Sequence, residues 1–168
     1  NVPFFFGRAA IYFTIWIGIA TWFRRTSLKQ DETGDPALTL RMARVAAPCM
    51  LLYALSVSFA AFDWLMSLDP HWFSTMWGVY VFSGCFLSFM ASSILICLWL
   101  QGRGYLNNVV SEEHFHDLGK LMFAFIVFWA YTAFSQYMLI YYANLPEETI
   151  FFDRRSTGSW FTVGVVLC

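Results

Sequence analysis

The chain has 168 residues, 59% hydrophobic and 21% aromatic but only 12% charged, with a formal net charge of −1. Average soluble domains carry about a quarter of charged residues, so the composition points to a membrane protein. The near-zero charge, with no basic stripe and no phosphate-cradling glycine loop, excludes nucleic acid and nucleoside triphosphates as natural partners.

Apolar runs long enough to cross a hydrocarbon core of roughly 30 Å recur along the chain. They predict spans at about 4–23, 45–66, 74–100 and 118–143. Arg8 lies about one turn inside the first, where it is expected to snorkel toward the surface, pairing with an acid being the alternative. "RRTSLKQDETGDPALTLRMAR" follows and reads as a water-facing loop, with Gly34 and Pro36 as helix breakers.

In the second span Cys49, Tyr53, Ser56, Ala60 and Asp63 recur at steps of four and three, a small and polar helix stripe expected to face inward. Asp63 is the sharpest residue in the chain. A carboxylate inside a span costs on the order of 3 kcal/mol by insertion scales and must pair or take up a proton. Either it passes protons or it is a structural carboxylate bonded to a neighbouring helix.

"SLDPHWFST" connects spans two and three, with Pro70 ending one helix and Ser74 or Thr75 placed to cap the next. A turn explains Pro70 and Ser74, but it does not explain His71, an imidazole beside Asp69 and near Asp63. Such a group can exchange protons with a quinol hydroxyl or with water. The third span carries Tyr80, Gly84, Ser88 and Ser92 at steps of four, the small-residue spacing that lets helix backbones approach.

The next connection contains "SEEHFHDLGK". Ser111 or Asp117 is expected to cap the following helix, and His114, His116, Asp117 and Lys120 are inner-side candidates for proton uptake. Span four places Ser135, Gln136 and Tyr137 in an apolar helix, where Gln136 needs a partner. After it, "NLPEETIFFDRRSTGS" reads as a second polar connection whose Glu147 and Glu148 could meet Asp63, Asp69 and His71.

A fifth apolar run, 160–168, is too short to span, so the chain is expected to be a piece of a longer protein with four complete spans and the start of a fifth. The fold class expected is therefore an all-α integral membrane helical bundle, read as a single transmembrane domain. Seven basic residues lie on one side, in the first and third connections, and two on the other. The positive-inside bias then places the SLDPHWFST and Glu147–Glu148 segments at the outer surface.

Cys49, Cys85, Cys97 and Cys168 lie in apolar runs without CxxC or CxxH spacing, and are expected to be small buried hydrophobes rather than a disulfide framework, zinc site or cluster. All three histidines lie in connections, which disfavours haem ligation within the bundle. No metal site is expected. If the interior conducts protons, Tyr53, Ser56, Ser135, Gln136 and Tyr137 are the plausible steps, because hydroxyls and amides can order a water chain.

The blocks "PFFFGRAAIYFTIW", "RRTSLKQDETGD", "FDWLMSLDPHWFSTMWGVYVFSG" and "LGKLMFAFIVFWAYTAFSQYMLIYYANLPEET" carry a resemblance over most of residues 1–152. The chain resembles the ActF family, the second quinone-binding-type membrane subunit of alternative complex III, and through it the NrfD and polysulfide reductase membrane subunits.

The resemblance implies a multi-pass subunit in a bacterial cytoplasmic membrane, part of a respiratory quinol:electron acceptor oxidoreductase. It implies no cofactor in this chain, quinol as a candidate ligand, and c-type haems and iron–sulfur clusters in partner subunits. Expected partners are the lipid bilayer and those subunits, among them a sister subunit that is the stronger candidate for quinol binding. This chain would then be non-redox and not catalytic alone, serving proton conduction, quinol-linked proton handling or assembly. A purely structural anchor and a secondary transporter are the alternatives. Paired broken helices, the mark of the transporter, are not evident.

Overall fold

The computed structural model describes residues 2–106 and 109–167, the last four of these by backbone alone; Cys168 lies outside the described residues. They form six α-helices and no strand: α1 (Val2–Thr33), α2 (Pro36–Trp64), α3 (Trp77–Gly102), α4 (Glu112–Ala143), α5 (Pro146–Ser156) and α6 (Ser159–Leu167), with a 3₁₀ turn at Met66–Leu68. Helices α1 to α4 are each long and apolar enough to cross a membrane. Such segments must be helical, because hydrocarbon offers no partner for an unsatisfied backbone amide or carbonyl.

The chain divides into two compact units, Asn1–Ser67 and Leu68–Cys168. In the first, α1 and α2 form a hairpin. The turn is local chemistry: Gly34 takes the left-handed conformation at φ 66° and donates to the Gln30 carbonyl, which stops α1. Asp35 then caps α2 by accepting from the Ala37 amide at 2.9 Å, and Pro36 occupies the first helical turn.

The breakers act where the sequence places them, but the polar segment around them is helix rather than loop. α1 continues through "RRTSLKQDET" because Arg, Lys, Gln and Glu are good helix formers that need no membrane to stay helical.

Ring contacts fix the antiparallel register of this hairpin. Trp64 packs against Tyr12, Phe13 and Trp16 with centroids 5.7 to 5.9 Å apart, and Trp16 lies 6.4 Å from Tyr53 further back along α2. The inward stripe on α2 follows the spacing of the sequence: Ser56 and Ala60 are buried, and Tyr53 and Asp63 are largely covered. Leu51, Leu55 and Phe59 stay exposed, as a lipid-facing side requires.

In the second unit α3 and α4 form another hairpin. Tyr80 stacks on Trp129 at 5.4 Å and Phe86 meets Phe125 at 4.3 Å. Gly84 allows the approach, since a Cβ there would stand 3.2 Å from the Trp129 indole nitrogen.

The rest of the expected small-residue stripe does not pack. Ser88 and Ser92 are exposed and return their hydroxyls to the Gly84 and Ser88 carbonyls, while Ser83 and Thr132 are the fully buried small residues. A period of four drifts around a helix of 3.6 residues per turn, so the stripe leaves the contact after two steps.

Cys85 is also exposed, contrary to the buried role expected of it, while Cys49 and Cys97 are half-buried. A thiol is apolar enough to lie on an outward helix face as easily as in a core.

Candidate functional site

Each unit has a polar centre, the first between two spans and the second between the connection before α3 and α5. In the first, α1 brings Arg8 and Tyr12 to the end of α2. Arg8 Nη2 lies 2.9 Å from Asp63 Oδ1, and the Tyr12 hydroxyl donates to Oδ2 at 2.7 Å. Both carboxylate oxygens are thus engaged, and the Asp63 side chain is only 10% exposed.

Arg8 therefore pairs rather than merely snorkelling, although its guanidinium also rests over the Phe4 ring at 4.7 Å. Pairing wins because in a low-dielectric interior a carboxylate left alone costs more than ordering one long side chain. Next to it, Trp16 donates to the Ser56 hydroxyl at 2.9 Å, and that hydroxyl donates to the Tyr53 carbonyl at 2.9 Å.

In the second unit, the connection after the 3₁₀ turn is held against α5. Asp69 Oδ2 lies 3.3 Å from Arg154 Nη1, and Trp72, buried, stacks on Phe151 at 3.9 Å with an interplanar angle of 12°. The Arg155 guanidinium covers the same Phe151 ring at 3.4 Å and donates to the Phe151 carbonyl. Burial against the ring pushes the otherwise exposed Arg155 below its ordinary value, with Asp69 and Tyr80 acting in the opposite direction. An arginine so placed remains a cation at any physiological pH.

The two polar connections of this unit therefore do come together, but as ion pair and ring stack rather than as a cluster of acids. His71 is exposed; its backbone amide faces Asp69 Oδ1 at 3.4 Å, and its imidazole has no partner among the described residues. Neither Ser74 nor Thr75 is the cap of α3: the N-cap position is Met76, and Ser74 contributes its carbonyl to the Trp77 amide at 3.2 Å.

Glu147 and Glu148 fall in the first turn of α5, where acids favour a helix start. Glu147 is exposed, and Glu148 lines a cavity of about 210 Å³ with Ser74, Thr75 and Gln136. Gln136 is 6% exposed, and its Nε2 has no hydrogen-bond partner among the described residues. Beside it Ser135 is half-buried, and Tyr137 packs on Tyr141 and Phe152 at a second cavity of about 370 Å³ that also meets Arg155.

The inner-side candidates begin α4. His114 Nδ1 accepts from the Ser111 amide at 3.2 Å and lies 2.7 Å from its hydroxyl, a reciprocal cap. Asp117 is not a cap; it lies inside the helix and pairs with Lys120 at 3.3 Å, both exposed, and His116 is exposed as well. These groups start a helix in water, and exposed pairs of this kind contribute at most about 1 kcal/mol.

Sequence reasoning does not single out Arg154, Phe151 and Trp72 as a site, and the segment that forms α5 reads in it as a polar connection. The signal was present: Pro146 at the first helical position, acids in the first turn and Arg154 and Arg155 in the last mark a helix at both ends.

The fold and these buried polar groups define a multi-pass, all-helical membrane protein. The chain matches no protein-family model and no curated protein.

Proposed function

We propose that this chain is a membrane subunit, carrying no redox centre of its own, of a bacterial quinol-oxidising respiratory complex of the alternative complex III type. The sequence blocks around Asp63, His71 and Gln136 support the reading. In that complex its neighbours would be the sister quinol-binding subunit and the subunits that hold c-type haems and iron–sulfur clusters.

One observation supports a structural role for Asp63: both of its oxygens are taken by Arg8 and Tyr12. Protonating it would break an ion pair and leave Arg8 uncompensated. Asp63 therefore serves to lock α1 to α2, and the first unit is a scaffold on which the complex assembles.

The test is the intact complex in liposomes, with Asp63→Asn and Arg8→Met compared with the parent. The expected result is less assembled complex, with an unchanged ratio of protons released to electrons transferred in what does assemble. Full assembly with lost proton release would make Asp63 a proton carrier instead. If the chain does not co-purify with haem-bearing subunits, the respiratory reading fails.

Proton handling has a separate candidate in His71, whose exposed imidazole is free of partners among the described residues. His71→Ala should then slow proton release during quinol oxidation without reducing the amount of complex.

A further inference from the structure

Gln136 places a primary amide in an apolar helix, buried to 94%, with its Nε2 bonded to nothing among the described residues. A buried donor without a partner costs about 1 to 3 kcal/mol, so native proteins seldom keep one unless something outside the chain satisfies it. Gln136 lines a cavity of about 210 Å³. Since a water molecule takes about 30 Å³ of liquid, the space is several times too large for one.

The lining is chemically divided. Glu148 contributes a half-buried carboxylate with no cationic partner among the described residues, and Ser74 and Thr75 contribute polar atoms beside it. Phe73, Leu139 and their neighbours make the other wall apolar, and these two are 63% and 64% exposed, so that wall continues into the outer apolar surface of the unit. The lining contains an anion and no cation.

Depth fits the same occupant. Gln136 lies about two turns before α4 ends at Ala143, and Glu148 lies just beyond that end, in the first turn of α5. A helix of 32 residues is about 48 Å long and overhangs a hydrocarbon core of about 30 Å. An overhang shared between the two ends of α4 would put the cavity where acyl chains give way to ester carbonyls and headgroups.

We propose that this cavity binds a phospholipid with a primary-ammonium headgroup, a phosphatidylethanolamine. Its ester carbonyl accepts from the Gln136 amide, its ammonium meets Glu148, and an acyl chain runs along Leu139 and Phe73. An anionic headgroup is rejected by the uncompensated carboxylate. A choline headgroup is accepted less well, because its quaternary nitrogen has no proton to donate. The inference is independent of the respiratory reading, since it needs only the second unit and a bilayer.

The test is the protein extracted from its native membrane in mild detergent, stripped of lipid and returned to nanodiscs of phosphatidylcholine containing either phosphatidylethanolamine or phosphatidylglycerol. Lipid kept through a second extraction is counted by native mass spectrometry, and thermal stability is followed in parallel. Phosphatidylethanolamine should be retained about tenfold over phosphatidylcholine, as expected for one charge-assisted hydrogen bond.

Glu148→Gln should abolish that preference, Gln136→Leu should weaken retention of both lipids, and Glu147→Gln, at the exposed neighbour, should change neither. Equal retention of the three lipids, preference for phosphatidylglycerol, or an undiminished preference in Glu148→Gln would overturn the proposal. So would an equal stabilisation by free ethanolamine, which would make the ligand a soluble amine.

Discussion

Asp63 and Gln136 are both polar side chains set into apolar helices, one in each compact unit, and their surroundings differ sharply. Asp63 finds a cation and a hydroxyl on the adjacent helix. Gln136 finds no partner for its Nε2 among the described residues. The first unit satisfies both oxygens of its buried carboxylate internally, although Arg8 Nε is left without a partner among the described residues; the second leaves an amide donor and a carboxylate open beside one cavity, which suits a site that something else fills. A polar residue in a membrane helix is therefore informative only together with what it touches.

The comparison is broken most severely by removing what holds the second unit's open end in place. Trp72 is 4% exposed and stacked on Phe151, so Trp72→Ala should cost about 3 kcal/mol, the lower end for emptying a buried aromatic site. Limited proteolysis should then cut between α4 and α6 faster than in the parent. If α5 stays protected, the stack is not what docks it.

Next in size is the first unit's pair. Asp63→Ala leaves Arg8 without its counter-charge; because Arg8 is 41% exposed, about 2 kcal/mol is expected rather than the 3 to 5 of a fully buried pair. Adding Arg8→Met should restore part of the loss, since the unpaired charge is then gone. Equilibrium unfolding of the four variants in mixed micelles gives the coupling, and strict additivity of the two losses would show that the pair does not act as one.

The contrast is sharpest in two substitutions whose signs should differ. Ser56→Ala takes the acceptor from the Trp16 indole and should destabilise by about 1 kcal/mol. Gln136→Leu removes a donor that had no partner, so in lipid-free detergent it should be neutral or stabilising by up to about 1 kcal/mol. Thermal scans of both in the same detergent decide it, and a loss in Gln136→Leu would mean that the amide is satisfied within the protein.

Much of this was legible in the chain. Composition and run length gave the spans because a bilayer accepts little else, and the stripe from Tyr53 to Asp63 was visible because a helix face repeats at fixed steps. Helix ends were less legible. The 24–33 segment and α5 are polar and read as connections, although their residues favour helix and their ends carry the usual signals. The partner of Asp63 was not legible at all, since nothing local says that a residue on α1 rather than lipid or another helix faces it. The same holds for Gln136: the sequence states the need for a partner, and only the packing of the 73–76 segment and α5 shows that none of the described residues supplies one to its Nε2.

The smallest effect belongs to the pair between Asp69 and Arg154, 26% and 70% exposed at 3.3 Å. Water screens it, so Arg154→Gln should cost no more than about 1 kcal/mol and the loss should shrink as salt rises from 0.05 to about 0.5 M, where the screening length drops to roughly 4 Å. Asp63→Ala should keep most of its cost over the same range, because its carboxylate is shielded from ions by the hairpin that buries it. Salt dependence thus separates a charge pair at the water-facing end of the second unit from one inside the first. A salt-insensitive Arg154 loss would mean that its contribution comes from packing its alkyl stem rather than from its charge.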